Sequence, residues 1–167
     1  DKERYEHKYE YCDLLIAGSG PSGLASAYAA GKNGARVILA EDKPRFGGTL
    51  LTSDVNIGNQ TGKEWADNII AELKDMPNVT VKNRSQVFGY YDHNMLVMSE
   101  KISDHLPKTK KYHPKQRLWY IRAKEVVISS GSIERPLVFG NNDTPGVMLS
   151  SAAKEYLKVY GVLVGKK

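Results

Sequence analysis

Residues 12–23 read Cys-Asp-Leu-Leu-Ile-Ala-Gly-Ser-Gly-Pro-Ser-Gly, a short apolar run that leads into three spaced glycines. A short apolar run that ends at a glycine is typical of a buried parallel strand. The next residues, Ser22 to Asn33, are rich in alanine and predict a helix with Gly34 at its end. Arg36 to Ala40 predicts a second buried strand, which Glu41 closes. This pattern predicts a right-handed strand–helix–strand unit whose two strands are parallel neighbours.

The three glycines, Gly18, Gly20 and Gly23, match the pattern G-x-G-x-x-G. Gly18 permits a tight turn, Gly20 lets the main chain approach a diphosphate, and Gly23 lets the helix lie close to the sheet. The first N–H groups of the helix and its dipole favour an anion at the same place. We therefore interpret the loop as a dinucleotide-binding turn; the alternative is that the glycines only make a tight turn.

Glu41 follows Gly23 at the distance expected for the acidic residue of such a unit. Its carboxylate can accept hydrogen bonds from ribose hydroxyls and would repel a 2′-phosphate. This favours NAD or FAD over NADP. Lys43 and Arg45 weaken that exclusion because they are close in sequence and positively charged.

The rest of the chain predicts further α/β structure. A turn-rich stretch, residues 42–62, precedes a helix from Lys63 to Lys74 with Trp65, Ile69, Ile70 and Leu73 along one face. A strand begins at Val79, and a last helix spans Ser150 to Tyr160. Residues 1–11 are polar and aromatic and are interpreted as a helical lead-in. Alternating segments predict a β-meander at Val87–Tyr91, Met95–Ser99 and Arg117–Arg122, and a further apolar strand at Glu125–Ser129.

Composition is that of one globular domain of 167 residues, with 41% hydrophobic and 26% charged residues. No apolar run approaches the roughly 20 residues that cross a bilayer, and the charged N-terminus has no signal core. We therefore expect no membrane and a cytoplasmic location. Cys12 is the single cysteine, which excludes an internal disulfide and a Cys-x-x-Cys pair. No metal-ligand spacing and no catalytic constellation is evident.

The net charge of +5 is unevenly spread. Nucleic-acid binding is one interpretation of the basic stretch, but no helix-turn-helix or RNP-like motif accompanies it. A solvated loop or a surface that meets an acidic partner subunit is therefore favoured, and no nucleic acid is expected. The basic residues are Lys101, Lys108, Lys110, Lys111, Lys115, Arg117, Arg122 and Lys124.

Beyond the glycine motif and Glu41, the chain has a Gly-Gly pair at residues 47–48 and a strand that ends in Ser130-Gly131. This order resembles flavoproteins with a glutathione-reductase-like fold. Four more specific stretches, residues 87–94, 116–119, 131–139 and 142–149, resemble the alpha subunit of heterotetrameric sarcosine oxidase. The resemblance runs from about Tyr5 to Gly161 and implies a Rossmann-like FAD/NAD(P)-binding domain, with a parallel sheet, crossover helices and a β-meander.

By this resemblance, the parent enzyme would oxidise sarcosine to glycine, pass electrons through flavins to oxygen and transfer the one-carbon unit to tetrahydrofolate. In that family the beta subunit holds an FAD, a covalent FMN lies at the alpha–beta interface, and the domain matched by this chain holds NAD. Related opine and proline dehydrogenases and cyanide-forming oxidases contain a similar subunit, sometimes with FAD in this site. A scaffold fragment without a stable cofactor is the remaining alternative.

Residues 1–167 are accordingly expected to be a single dinucleotide-binding domain from a larger subunit of a hetero-oligomeric oxidase, inactive when isolated. The family's ferredoxin-like region, the second half of its nucleotide domain and its folate-binding domain would lie outside this sequence. One departure is Ser129-Ser-Gly-Ser132, where the family usually has Ala-Thr-Gly-Ala. The cofactor-binding residues implied by position are Gly18, Ser19, Gly20, Pro21, Ser22, Gly23, Glu41, Asp42, Lys43, Arg45, Gly47, Gly48, Thr49, Val87, Ser129, Ser130 and Gly131.

Overall fold

The computed structural model describes residues 3–107 and 113–165, which form helices and a mixed β-sheet. The helices in these residues are α1 (Pro21–Lys32), α2 (Gly62–Asp75) and α3 (Ser150–Tyr160). The strands are β1 (Tyr5–Ala17), β2 (Val37–Ala40), β3 (Asn56–Ile57), β4 (Gln60–Thr61), β5 (Val79–Lys82), β6 (Ser85–Tyr91), β7 (Met95–Lys101) and β8 (Gln116–Ile128). No helix of this described part is long and apolar enough to span a bilayer.

The main sheet has the strand order β5-β2-β1-β8-β7-β6. Its first four strands are parallel, while β8, β7 and β6 pair antiparallel as a meander. The predicted parallel pair is confirmed, with Leu14 opposite Val37 and Ala17 opposite Ala40. Because β1 lies between β2 and β8, the loop that follows β1 emerges at the centre of the sheet edge.

Two apolar clusters hold the layers together. Side chains from α1 and α2, including Leu24 and Leu73, pack with Val37 and Leu39 on one face of the sheet. The alternate residues of β2, Ile38 and Ala40, belong to a second cluster with side chains from β7 and β8. The strand is therefore buried on both faces, as its continuous apolar sequence predicts.

The helix predictions are confirmed with small shifts at their ends. A capping box starts α2, since the Thr61 side chain accepts a hydrogen bond from the Glu64 N–H and the Glu64 carboxylate accepts one from the Thr61 N–H. Gly34 follows α1 with a φ of +81°, a conformation suited to glycine. The last helix lies at Ser150–Tyr160 as predicted.

The helical lead-in is wrong: residues 5–11 are the first half of β1 and pair with residues 116–122 of β8. The sequence does not reveal this strand because its partner, β8, is more than 100 residues away along the chain. Its polar side chains find their hydrogen-bond and ion-pair partners on that strand. Glu6 pairs with Arg117 at 2.9 Å, and the Tyr9 and Tyr120 rings stack with centroids 5.2 Å apart. For the same reason, the two strands predicted at Arg117–Arg122 and Glu125–Ser129 are one continuous strand, β8.

Several cations of the basic stretch are neutralised within the fold. Lys115 pairs with Glu3, Lys124 pairs with Asp13 at 2.8 Å, and Arg117 contacts Glu100 as well as Glu6. Lys108, Lys110 and Lys111 lie outside the described residues. The described contacts connect neighbouring strands or the residues that flank them, which favours a structural role for these charges.

The start of α1 lies unusually close to the loop that precedes it. A Cβ on Gly23 would lie 2.0 Å from the Gly18 carbonyl oxygen, far inside van der Waals contact. Because the obstacle is backbone, it cannot move aside as a flexible side chain would.

Gly23→Ala is therefore expected to lower the free energy of unfolding by about 3 kcal/mol, the upper end of typical overpacking costs. Urea denaturation measures the change. Gly140→Ala is the matched control, because a Cβ there meets no atom within 4 Å and stability should stay nearly constant. Equal stability of the two variants would contradict the close approach.

Candidate functional site

A cavity of about 1140 Å³ lies at the carboxyl edge of β1, β2 and β8. Ligands bind at this edge in open parallel sheets, where loops from neighbouring strands meet. Most of the residues assigned from the sequence line the cavity. The exceptions are Gly23, which packs behind the loop, and Gly47, whose N–H bonds to Ser19.

The glycine loop forms the floor of this cavity. Gly20 precedes α1 with a φ of −65°, and a Cβ added to it would meet nothing within 4 Å. The first bond of the α1 ladder runs from the Leu24 N–H to the Gly20 carbonyl at 2.9 Å, so the earlier N–H groups of the helix have no acceptor inside it. Space, exposed backbone and the helix dipole together suit an anion such as a diphosphate.

Ser19 joins three loops beneath the cavity and is fully buried. Its backbone N–H and its hydroxyl both donate to Glu41 Oε2, at 3.0 and 2.5 Å. The Gly47 N–H donates to the Ser19 carbonyl at 3.1 Å and to its hydroxyl oxygen at 3.2 Å. One serine therefore fixes the glycine loop, the end of β2 and the Gly-Gly turn relative to each other.

Glu41 is only 6% exposed, yet it lines the cavity. Its Oε1 accepts the Lys43 N–H at 3.0 Å, while Oε2 is occupied by Ser19. Burial, together with a hydrogen bond to the Asp42 carboxyl group, raises the pKa of Glu41 above its ordinary value and outweighs the hydrogen bonds from Ser19 and Lys43 that stabilise the charge. A carboxylate can accept about four hydrogen bonds, and the described donor to Oε1 is the Lys43 N–H.

Helix α3 forms the opposite wall, with Ser151, Glu155, Val159 and Tyr160 in the lining. The sequence does not assign these residues, because their pairing with distant loops leaves no local pattern. Lys43 Nζ lies 2.8 Å from Glu155, and Arg45 donates to the Val159 carbonyl at 3.3 Å. Two cations assigned to the cofactor are therefore also the residues that attach α3.

Glu134 fixes the beginning of α3. Its carboxylate accepts the Ser151 N–H at 2.7 Å and the Ser150 hydroxyl at 2.8 Å. These bonds, the Ser151 N–H foremost, lower the pKa of Glu134 to about 2. The Glu134 side chain therefore caps α3, because the N-cap residue, Leu149, makes no side-chain hydrogen bond to the helix.

The remaining assigned residues come from β6 and from the end of β8. Val87 lines the cavity beside Gln86, and the Ser129 N–H bonds to the Ala17 carbonyl at 2.8 Å. Gly131 has a φ of +71° and open space beside it. Ser129 to Gly131 thus continue β8 into the cavity wall, next to the glycine loop.

The described residues supply binding groups more clearly than reactive ones. Cys12 lies in the second apolar cluster, where burial raises the pKa of its thiol to about 12. His93 lies in the turn between β6 and β7, away from the cavity lining, and its carbonyl accepts from Arg122 at 3.0 Å. Within residues 3–107 and 113–165, no group of three His, Cys, Asp or Glu side chains could hold a metal.

Comparison with known proteins agrees with this geometry. The family model of FAD dependent oxidoreductases matches residues 13–96. The chain is 42% identical over 166 residues to the alpha subunit of sarcosine oxidase from Rhizobium meliloti (strain 1021), covering 99% of the chain and 17% of that protein. It is 27% identical to an opine oxidase subunit of Agrobacterium tumefaciens (strain Ach5), covering 92% of the chain and 30% of that protein.

Among solved structures, L-proline dehydrogenase from P. horikoshii has the same fold, with a TM-score of 0.77 and 23% identity. The match covers 96% of this chain and 31% of that one. The Rossmann-like FAD/NAD(P)-binding fold is thereby confirmed. The chain spans about a sixth of the length of the sarcosine oxidase subunit that it matches, 17%.

The raised pKa of Glu41 predicts a pH-dependent cost of keeping it ionised. An acid with a raised folded pKa binds its proton more tightly when folded, so its contribution to stability falls as pH rises from the ordinary value of 4.5 through the folded pKa. The stability of the wild type relative to Glu41→Gln should fall across that window, by about 1.4 kcal/mol for every tenfold gain in proton affinity on folding. Urea denaturation between pH 4 and pH 8 measures it. A stability difference that stays constant or grows as pH rises across this window would contradict the cost of burying the Glu41 carboxylate.

The lowered pKa of Glu134 predicts the opposite dependence at the start of α3. Its stabilising effect is present above the ordinary value of 4.5 and is lost as pH falls through about 2. Glu134→Gln should speed amide hydrogen exchange in the first turn of α3 at pH 5 to 7, whereas Asp143→Asn should not. Unchanged exchange in Glu134→Gln would show that the cap does not hold the helix.

Proposed function

The chain belongs to the family of FAD-dependent oxidoreductases, and from that premise we propose that it is the NAD-binding domain of an oxidase subunit similar to the alpha subunit of sarcosine oxidase. Residues 1–167 would form a single dinucleotide-binding domain of this subunit. The parent complex would contain other subunits and oxidise sarcosine or a related secondary amine. The similarity to the sarcosine oxidase protein over nearly the whole chain supports the substrate class.

The observation that carries the binding proposal is the open space above Gly20. The diphosphate of the dinucleotide would lie there, at the start of α1, where exposed N–H groups and the helix dipole favour negative charge. The adenosine ribose would lie beside Glu41, which lines the cavity. Val87 and Gln86 would border the adenine.

FAD is the second candidate, because the family model that matches residues 13–96 is that of FAD-dependent enzymes. NAD and FAD share an adenosine diphosphate, so the glycine loop and Glu41 suit both. Mass spectrometry of the cofactor released from the protein in its natural full length distinguishes them. Release of NAD supports the proposal, release of FAD favours the alternative, and no dinucleotide at all would overturn both.

Gly20→Val is expected to abolish dinucleotide binding, because the added side chain would project into the diphosphate space. The fold should survive, since a Cβ at Gly20 contacts nothing within 4 Å and its φ of −65° is open to any residue. Calorimetric titration with NAD and with FAD measures the loss. A ligand at 100 times its dissociation constant stabilises by about 2.7 kcal/mol, so thermal shifts provide a second readout.

The matched control is Gly140→Val, which adds the same side chain at a glycine with no neighbour within 4 Å and outside the cavity lining. It should bind like the wild type. Wild-type affinity in Gly20→Val would refute the position assigned to the diphosphate.

A further inference from the structure

Arg84 lines the cavity beside Val87, yet neither the glycine motif nor the acidic residue points to it. It lies between β5 and β6, and its backbone is fixed from two sides. The Arg84 N–H donates to the Lys43 carbonyl at 3.1 Å, and its carbonyl accepts the Lys101 N–H at 2.9 Å. The position of this side chain at the cavity is therefore set by the main chain.

The backbone of Arg84 is in the left-handed region, with a φ of +50°. Glycine adopts this conformation without cost and asparagine tolerates it, whereas a long side chain is disfavoured. Such conformations persist where the surrounding structure fixes them, and they concentrate at functional sites. An arginine here thus indicates a use for its guanidinium group.

The other cations at this end of the cavity are engaged by α3. Lys43 pairs with Glu155, and Arg45 donates to the Val159 carbonyl. For Arg84, no side-chain hydrogen bond or ion pair occurs within residues 3–107 and 113–165, although the residue is half-buried. Its planar, charged group is available to a ligand.

Glu41 connects the diphosphate loop to the segment that contains Arg84. Glu41 reaches Ser19 of that loop through its carboxylate, whereas its backbone carbonyl accepts the N–H of Ser85, the neighbour of Arg84, at 2.7 Å. A nucleotide with its diphosphate at Gly20 and its ribose at Glu41 extends its base in this direction. A guanidinium group suits the flat face of a purine, on which it stacks.

We propose that Arg84 binds the adenine base of the dinucleotide by stacking its guanidinium group on the ring. This inference rests on the proposed function and adds a residue that recognises the base, where the glycine loop recognises only the diphosphate. Because adenosine diphosphate is common to NAD and FAD, the contact serves either cofactor equally.

The test uses Arg84→Gly in the protein in its natural full length, depleted of bound nucleotide, with ADP as the probe in calorimetric titrations. We expect affinity for ADP to fall about tenfold, between the strengths of an exposed and a fully desolvated cation–π contact. Thermal stability without ligand should be equal or higher, because glycine relieves the positive φ. Loss of binding together with retained stability separates a ligand contact from a structural role.

Asn141→Gly is the matched control, since Asn141 also has a left-handed backbone, with a φ of +62°, but lies outside the cavity lining. It should leave ADP affinity unchanged. Arg84→Lys keeps the charge but loses the planar group, so stacking predicts that it binds nearly as weakly as Arg84→Gly. Near wild-type affinity in Arg84→Lys would mean that the contact is with phosphate, which would overturn the assignment to the base.

The outcomes distinguish this inference from the proposed function. A wild-type protein that binds ADP, together with an Arg84→Gly variant of equal affinity, overturns the role of Arg84 alone. A nucleotide-depleted wild-type protein that binds none of ADP, NAD and FAD overturns both the role of Arg84 and the proposed function.

Discussion

The site depends on the absence of side chains where β1, α1 and β8 meet. A Cβ on Gly18 would lie 2.3 Å from the Ser129 carbonyl oxygen, and one on Gly23 would lie 2.0 Å from the Gly18 carbonyl oxygen. The two contacts place the start of α1 directly at the ends of two neighbouring strands. Because of that approach, the helix N-terminus faces the cavity while its apolar side stays packed on the sheet. Packing therefore requires glycine at positions 18 and 23, whereas the space beside Gly20 is open to a ligand.

Ser19 connects this closely packed glycine loop to Glu41 at the end of β2 and to the Gly-Gly turn through hydrogen bonds. Burying the charge of an acid such as Glu41 is costly, and burial is the main cause of its raised pKa. The bonds from Ser19 and Lys43 keep the carboxylate in place in spite of it. The Gly-Gly turn is held to the same serine through Gly47, which explains why Gly47 lies behind the cavity while Gly48 and Thr49 line it. The acid therefore organises the loops in addition to any contact with a ribose.

The parts of the fold that sequence predicts well are those whose determinants are local. The β1–α1–β2 unit, α2 and α3 carry apolar periodicity and glycine or capping signals within a few residues of each end. The first half of β1 does not look like a strand in the sequence, because its partner strand begins at Gln116 and its polar side chains are satisfied there. Likewise, the glycine motif points to the cavity floor, but the α3 wall depends on pairs such as Lys43 with Glu155, for which the sequence carries no nearby signal.

The two walls of the cavity are consequently held by different forces. The side formed by the glycine loop, Glu41 and β8 rests on the two apolar clusters and on buried hydrogen bonds. Helix α3 has no buried residue, and it is attached by charged contacts of Lys43, Arg45 and Lys158 and by the Glu134 cap. Exposed ion pairs contribute only about 0–1 kcal/mol each and weaken with salt. Groups bound against the loop therefore meet a preorganised surface, whereas the α3 wall is attached mainly by contacts that are individually weak.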